Sequence, residues 1–224
     1  MLTHAPWQET PDLRHGFLDG AESAGRDWPP IVARVGSPLP IVVPRQVHGT
    51  RVVTVAANDP SPEADGLVVG ERGLLVGVVT ADCVPVLLVA REARVAAAVH
   101  AGWRGAAAGV LEAAIERFVR DRAVAPGRIE AVIGPAIGGC CYEVGPEVRT
   151  AFTSRTQRTT NPAWTERGGR QHVDLRVAAR TLLEAAGVGR VATVGPCTAC
   201  GAGYHSYRRD GAGVGRQLSF VGWA

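Results

Sequence analysis

Short apolar runs, interrupted by glycine, proline and polar clusters, set the pattern of most of the chain. Runs of about four to eight apolar or β-branched residues between turn residues are typical of strands rather than helices. A polar segment at 80–83 interrupts one such run, which resumes at Val84. The predicted strands cover residues 31–35, 41–43, 51–55, 66–69, 74–79, 84–89, 94–100, 128–133, 190–194 and 217–221.

Three segments have the period of a helix instead. Over 106–122, apolar residues recur at spacings of three and four, which predicts an amphipathic helix. Shorter helices are expected over 146–152, with proline in the first turn, and over 175–186, before Gly187. Strands outnumber helices and do not alternate with them regularly. This pattern favours a single α/β (α+β) domain with mixed sheets flanked by helices over a doubly wound Rossmann fold.

Two regions carry no clear periodicity. Residues 1–30 are expected to be irregular, because tryptophans and a double proline interrupt any pattern there. Residues 153–170 are polar and are expected to form a loop.

The composition is that of an ordinary globular protein, and it excludes several functions. The 224 residues suffice for a sizeable core, and a hydrophobic share of 46% is usual. A net charge of +3 is too small to indicate a nucleic acid or a membrane as partner. All basic residues are arginine, which excludes a Schiff-base or P-loop lysine. No apolar run approaches the length of a membrane span. A monomer or a weak homo-oligomer is expected.

The cysteines and the first residues indicate a compartment. The N-terminal segment has no basic region followed by an apolar one, so a secretory signal is not expected. Five cysteines are an odd number, and a chain of this length does not need disulfides. We therefore expect a cytoplasmic protein in which any special cysteine serves a metal or catalysis.

The predicted strand 94–100 is followed, after a short turn, by the predicted helix 106–122. The strand ends at His100, and Arg104 lies in the turn before the helix. Free backbone N–H groups and the positive end of the helix dipole meet at such a junction. The junction therefore predicts a nitrogen ligand or base beside an anion site, with Arg104 suited to phosphate or carboxylate. The alternative for Arg104 is a surface residue that closes a turn.

Three residues at or beside strand ends can carry chemistry: His48, Cys83 and His100. Two imidazoles and a thiolate suit zinc, and three protein ligands leave a fourth position open, as in catalytic sites. Their spacing matches no local zinc motif, so a loop histidine, a core cysteine and a hydrogen-bonded strand-end histidine remain the simpler interpretation. A further alternative is a nucleophilic Cys83, next to Asp82, with His100 as its base.

Further polar residues are candidates for contacts with a substrate. Arg45 and Gln46 lie in a turn between predicted strands, where each by itself also suits a solvated loop. Segment 204–210, with His205 and Arg208, suits the wall of a pocket for a flat polar ligand, or else an edge strand with a charged turn.

The remaining cysteines give weaker signals. Adjacent residues such as Cys140 and Cys141 rarely chelate one ion together, so a structural role is expected for them. Cys197 and Cys200 have C-x-x-C spacing, which without a second pair is a weak signal for zinc and for redox chemistry.

Six segments together resemble the YfiH-type family, also called the laccase-domain or polyphenol-oxidase-like family. Their combination and order are far more specific than any single spacing. The region before about residue 40 is short relative to that family and lacks its usual Gly-Phe-Ser-Thr-Arg segment. The matching segments are RQVHGTR (45–51), EADGL (63–67), TADCVPVLL (80–88), VHAGWRG (99–105), IGPAIGGCCYEVG (133–145) and SYRRDG (206–211) with GRQ (215–217).

The resemblance implies a single YfiH-like domain over residues 1–224. It also implies a zinc centre, with copper as the other possible metal, held by His48, Cys83 and His100. The implied activity is phosphorolysis of purine nucleosides (adenosine, inosine, guanosine and methylthioadenosine) together with deamination of adenosine. The expected partners are therefore a purine nucleoside and phosphate.

The implied chemistry assigns provisional roles to polar residues. Deamination at a zinc centre needs a carboxylate that moves protons, for which Asp82 and Glu143 are the candidates. Phosphorolysis needs a cationic site, for which Arg104 is the candidate, with Arg45 assisting. The other expected substrate contacts are Gln46, Glu143, His205 and Arg208.

Four alternatives stay open. The resemblance also allows editing of peptidoglycan precursors and copper-dependent polyphenol oxidation, although one three-ligand site lacks the multicopper set that the oxidation requires. A cysteine hydrolase using Cys83 and His100 predicts a metal-free protein. A non-enzymatic metal protein predicts a closed centre with a fourth ligand, such as His205 or another cysteine.

Overall fold

Two stacked β-sheets form the centre of the fold. The computed structural model describes residues 1–25, 27–153 and 163–224. A six-stranded sheet, a four-stranded sheet and a two-stranded ribbon contain the described strands. In chain order these strands are β1 (Leu13–Phe17), β2 (Ile41–Val42), β3 (Val52–Thr54), β4 (Gly66–Val69), β5 (Leu74–Thr80), β6 (Val84–Ala90), β7 (Val95–Ala101), β8 (Glu130–Ile133), β9 (Trp164–Arg167), β10 (Arg170–Val173), β11 (Arg190–Thr193) and β12 (Gln217–Trp223).

Helices cover the outer faces of both sheets. A single 3₁₀ turn, Pro126–Arg128, precedes β8. The helices of the described residues are α1 (Ala5–Gln8), α2 (Trp28–Arg34), α3 (Trp103–Ala108), α4 (Val110–Arg122), α5 (Pro146–Thr153), α6 (Leu175–Ala185) and α7 (Tyr207–Asp210).

The strand order mixes parallel and antiparallel neighbours. The six-stranded sheet has the order β11-β8-β6-β7-β4-β3, and the four-stranded sheet has the order β1-β12-β5-β2. The pairs β11/β8, β3/β4 and β2/β5 are parallel, and the other pairs of these two sheets are antiparallel. The predicted fold class, an α/β domain with mixed sheets rather than a Rossmann fold, is confirmed.

Side chains on opposite faces of the strands enter different cores. Leu87 of β6 packs between the two sheets with Val76 and Val221. Its neighbour Leu88 faces the other way, into the core beneath α4 and α6. Burial on both faces explains why β6 is a continuous apolar run rather than an alternating one. The outer face of the four-stranded sheet packs against α2 through Ile31 and Val32.

Three predicted elements differ in the structure. The strand predicted over 31–35 is wrong, because α2 occupies this segment and begins with prolines in its first turn, where no N–H is needed. The helix predicted over 106–122 is two helices, which are separated at Gly109 with a φ of 109°. The loop predicted over 153–170 is wrong at 164–170, where β9 and the start of β10 form a hairpin. Its central part, 154–162, lies outside the described residues.

The region predicted to be irregular contains two short elements. β1 forms an edge strand that pairs with β12, and α1 packs beside it. No helix in the described ranges combines the length and the apolar character needed to cross a membrane.

Candidate metal centre and pocket

Three chain segments bring His48, Cys83 and His100 together. His100 lies near the end of β7, and Cys83 ends the turn before β6. The register of these neighbouring strands pairs Pro85 with His100, which places Cys83 beside the imidazole. His48 comes from the loop between β2 and β3, and its Nε2 lies 3.8 Å from Cys83 Sγ. The potential ligand atoms of the three residues lie within 4.8 Å of one another.

Asp65 orders two of the three donors. Its carboxylate accepts hydrogen bonds from the backbone N–H groups of His48 (2.9 Å) and Gly49 (2.7 Å) and from His100 Nδ1 (2.8 Å). Its backbone oxygen also accepts from the His100 N–H at 2.7 Å. A carboxylate on Nδ1 directs Nε2 of His100 towards the centre, as is usual for metal-binding histidines. Asp65 is fully buried, so this arrangement is fixed by the fold.

The loop that carries His48 has an unusual conformation. His48 has a φ of 62°, in the left-handed region that few non-glycine residues adopt. The bonds to Asp65 stabilise this turn and turn the imidazole towards Cys83. Gly102 provides the space, because a Cβ there would lie 2.9 Å from His48 Cδ2 and 3.2 Å from Cys83 Sγ.

The three residues also alter one another's protonation. Burial by itself would raise the pKa of Cys83, but hydrogen bonding and charge from His100 and His48 lower it to about 6. Burial by itself would lower the pKa of His100, but Asp65 and Cys83 raise it to about 9. Both shifts act in the same direction, because each favours the ion pair of a Cys83 thiolate and a His100 imidazolium when no metal is bound. Either a cation or a proton on His100 balances the charge of this half-buried thiolate.

The donor set fits a metal ion with an open position. Two imidazoles and one thiolate are zinc ligands, and the ligand atoms are as close together as one ion requires. Within the described ranges, no fourth histidine, cysteine or carboxylate joins this group. A closed centre with His205 or another cysteine is therefore not supported in the described part of the chain.

A pocket of about 1020 Å³ opens above the three donors. This volume is sufficient for a drug-sized or nucleoside-sized ligand. Four aromatic side chains line it: Trp28, Trp103, Tyr142 and Tyr207. Of the residues predicted to contact substrate, four line the pocket: Gln46, Arg104, His205 and Arg208.

Two predicted contacts lie outside this pocket. Arg45 is exposed and forms an ion pair with Glu63. Glu143 forms an ion pair with Arg170 and is half-exposed. Only the backbone oxygen of Glu143 is tied to the pocket wall, where it accepts from the Arg208 guanidinium at 2.9 Å. Neither side chain is in place for the predicted role, because each points to a partner on the surface.

Asp82 lines the pocket but is already fully hydrogen-bonded. Its Oδ1 accepts from Thr198 Oγ1 at 2.6 Å. Its Oδ2 accepts from Ser206 Oγ at 3.1 Å and from the Arg208 N–H at 2.7 Å. These bonds attach the C-terminal segment to the turn that carries Cys83. The geometry therefore favours positioning over the predicted proton transfer.

Arg104 and Gln46 both line the pocket, but they differ in the contacts that their side chains make. The Arg104 guanidinium lies over the Trp103 ring, 4.4 Å from its centroid, and no carboxylate in the described ranges pairs with it. The Gln46 amide exchanges two hydrogen bonds of 2.8 Å with the backbone of Val79. Arg104 is thus a free cation facing the pocket, whereas Gln46 fastens its loop to β5.

The roles of Asp65 and Gly102 were not predicted from the sequence. A carboxylate directly before the buried strand β4 was a signal for Asp65, since buried acids are rare without partners. Nothing local to Gly102 distinguishes it from other turn glycines. Its role depends on two side chains that come from other segments.

Fold and site together define a mixed α/β protein with a three-donor centre at the base of a pocket. A family model described as multi-copper polyphenol oxidoreductase laccase matches residues 13–224. The chain belongs to this family, the YfiH-type laccase-domain proteins.

Two relatives and one solved structure show how close the similarity is. A purine nucleoside phosphorylase of Deinococcus radiodurans is 41% identical over 178 residues, which cover 79% of this chain and 68% of that protein. Adenosine deaminase RL5, from an unknown prokaryotic organism, is 38% identical over 199 residues, which cover 81% of this chain and 74% of that protein. The crystal structure of YlmD from Geobacillus stearothermophilus matches 96% of this chain and 93% of its own with a TM-score of 0.88 at 29% identity.

Proposed function

We propose that this chain is a metal-dependent purine nucleoside phosphorylase that also deaminates adenosine. The observation that carries the proposal is the convergence of three metal donors at a pocket of about 1020 Å³, whose wall includes an arginine that no carboxylate of the described residues pairs with. The names of the relatives support the same chemistry, since they include a purine nucleoside phosphorylase and an adenosine deaminase.

His48, Cys83 and His100 would hold the metal, for which zinc is the proposed ion and copper the alternative. A metal held by three protein atoms supplies a Lewis acid with a free coordination position. Asp65 keeps the hydrogen on Nδ1 of His100, so that Nε2 remains a ligand. The hydrogen bond between Asp65 and His100 also keeps the imidazole in one orientation when substrate enters.

The pocket wall supplies sites for both substrates of phosphorolysis. In that reaction a phosphate oxygen bonds to C1′ of the ribose while the bond from C1′ to the purine breaks, and the purine leaves with the electron pair. Arg104 would bind the phosphate, because in the described part of the chain its guanidinium contacts the Trp103 ring and pairs with no carboxylate. Trp103, Tyr142 and Tyr207 offer aromatic faces for the flat base.

Arg208 would act as a rigid part of this wall. Its guanidinium donates to the backbone oxygens of Cys141 and Glu143 and lies 5.0 Å from the centroid of the Tyr142 ring. Asp82 holds the backbone of Arg208 from the other side. Both residues would therefore position the ring that contacts the base.

The test combines metal analysis with a nucleoside screen run with and without phosphate. The wild-type chain should convert nucleosides to the free base and ribose 1-phosphate only when phosphate is present, and adenosine to inosine without it. His100→Ala should remove about one metal ion per chain and lower turnover by about 10³-fold. His4→Ala is the matched control, since His4 lies outside the pocket beside Trp7. Full phosphorolysis by a metal-free protein would contradict the proposal.

One observation favours a second candidate, a cysteine hydrolase. The thiolate of Cys83 beside the imidazolium of His100 is also the resting state of a cysteine nucleophile and its base. This candidate predicts a purified protein without metal, whose activity is lost when a thiol reagent modifies Cys83. Activity that depends on added metal and survives in excess reagent would exclude it.

A further inference from the structure

A second cluster of cysteines lies beside the pocket and takes no part in the proposed reaction. Cys140, Cys141, Cys197 and Cys200 come together with all four sulfur atoms within 4.8 Å of one another. The sequence by itself indicates no second pair for the C-x-x-C segment, and the adjacent cysteines were not expected to share an ion. The structure supplies the missing pair in space.

The strand order explains why the two pairs meet. β8 and β11 are parallel neighbours, with Ile133 beside Thr193 at their ends. The loops that follow them therefore leave the same edge of the sheet. A further parallel bridge joins Ala136 to Cys197, and the Thr198 N–H donates to the Ala136 oxygen at 3.1 Å.

The spacing of the sulfur atoms suits one ion. Four thiolates around zinc, at about 2.3 Å from the metal, lie about 3.8 Å apart at the corners of a tetrahedron. Cys140 Sγ and Cys200 Sγ are 3.6 Å apart, and the other pairs lie within the 4.8 Å limit of the group. A single disulfide would use two of these residues and leave the approach of the other two without a reason.

The surroundings suit a negatively charged metal site. The Gly138 N–H donates to Cys197 Sγ at 3.2 Å, and such bonds stabilise a thiolate. The Arg176 guanidinium borders the cluster, because a Cβ on Gly138 would lie 2.7 Å from Arg176 Nη2 and 3.4 Å from Cys140 Sγ. Zinc with four thiolates carries a net negative charge, which this arginine offsets in part.

We propose that Cys140, Cys141, Cys197 and Cys200 form a structural site for zinc, separate from the three-donor centre. Four protein ligands close the coordination sphere, so this site holds the fold together and does no chemistry. It joins the loop after β8 to the loop after β11. Both loops carry parts of the pocket wall, since Ile137 and Tyr142 line the pocket and Thr198 bonds to Asp82.

The test uses the full chain, reduced and freed of metal under anaerobic conditions, and titrated with cobalt and then zinc. Cys83→Ser provides the background, since its three-donor centre has lost its thiolate. This variant should bind about one cobalt with the intense near-ultraviolet absorption of several thiolates and the visible bands of a tetrahedral site. Adding Cys200→Ser should weaken zinc binding at least about 100-fold and reduce the thiolate absorption.

Two results would overturn the proposal. One is a folded Cys83→Ser variant that shows no thiolate-to-cobalt absorption. The other is a Cys140–Cys200 disulfide that persists in protein purified entirely under reducing, anaerobic conditions. If the double variant fails to fold, the wild-type chain decides the question by itself. The wild-type chain should take up about two zinc ions. Uptake of only about one zinc ion, together with a cobalt spectrum that lacks the bands of four thiolates, would contradict the site.

Discussion

The two sulfur-containing clusters of this protein differ in how they are built. The His48–Cys83–His100 centre has three donors, a buried carboxylate behind it and an open pocket in front. The four-cysteine cluster has a full set of donors, and two of them, Cys140 and Cys200, are exposed. Three donors with an open side suit reaction with a substrate, whereas four donors suit a link between loops. Donor number and access therefore distinguish the two clusters better than the kind of ligand does.

The arginines beside the two clusters also differ, because one is paired with a carboxylate and, among the described residues, the other is not. Arg104, beside the first cluster, has no carboxylate partner in the described ranges and faces the pocket. Arg176, beside the second, forms two hydrogen bonds to the Asp174 carboxylate, of 3.1 and 2.8 Å. A free cation can bind an incoming anion, but a paired one only balances a fixed charge. The first cluster is thus arranged for an exchangeable ligand.

The largest expected effect separates the clusters by function. Cys83→Ser should lower turnover by about 10³-fold, because loss of a ligand removes several kcal/mol of stabilisation by the metal. Cys200→Ser should instead lower the melting temperature of the zinc-loaded protein and reduce the further drop in melting temperature that a chelator causes. Steady-state kinetics and calorimetry measure the two effects. If folded Cys200→Ser loses as much turnover as Cys83→Ser, the division between the clusters is wrong.

A smaller effect is expected from Asp65, the carboxylate behind the three-donor centre. Asp65→Asn should weaken metal binding there by about 10- to 100-fold, because an amide cannot accept from His100 and from all the loop N–H groups. Competition with a chelator measures the affinity. Asp121→Asn is the matched control, since Asp121 pairs with Arg117 on the surface. Equal affinity in Asp65→Asn and the control would show that Asp65 does not orient the ligand.

The metal-free protein allows a direct chemical comparison. At pH about 7, iodoacetamide should modify Cys83 about tenfold faster than Cys140, since thiolate is the reactive form. The pKa of Cys83 is lowered to about 6, whereas burial and the neighbouring cysteines raise the pKa of Cys140 to about 12. The rate at Cys83 should fall as the pH falls through about 6, where its thiolate is protonated. Mass spectrometry of labelled peptides gives both rates, and faster labelling of Cys140 would contradict the assignment.

The smallest expected effect concerns the free arginine. Arg104→Ala should raise the KM for phosphate by about fivefold with a smaller change in the KM for nucleoside, because one exposed charge-assisted contact is lost. Arg72→Ala is the matched control, since Arg72 pairs with Asp12 on the surface. Unchanged phosphate dependence in Arg104→Ala would remove this residue from the site.

Local sequence patterns predicted most of the strands. β6 and β7 are uninterrupted apolar runs, and such runs have few conformations that bury every side chain. The error at α2 has a local origin as well, since its β-branched residues resemble a strand although its prolines suit a helix start. The break at Gly109 was missed because the apolar period continues across it.

The site was less accessible to local patterns. His48, Cys83 and His100 stood out at strand ends as residue types that suit zinc, but their spacing matches no zinc motif, and only the family resemblance implied that they form one centre. Arg45 and Glu143 were expected in the pocket, but nearby carboxylate and guanidinium partners hold them outside it. The choice between a pocket and a surface partner depends on the path of a loop, which no short segment encodes.

By itself, the sequence determined most of the strands, the α/β class and the residue types that can bind metal, because these depend on single residues and on short periodic patterns. Only the tertiary structure decided which donors meet. It placed Asp65 behind His100, and the parallel pairing of β8 and β11 brought two separate cysteine pairs into one cluster. Such contacts depend on strand order and register, which result from packing of the whole chain rather than from any one segment.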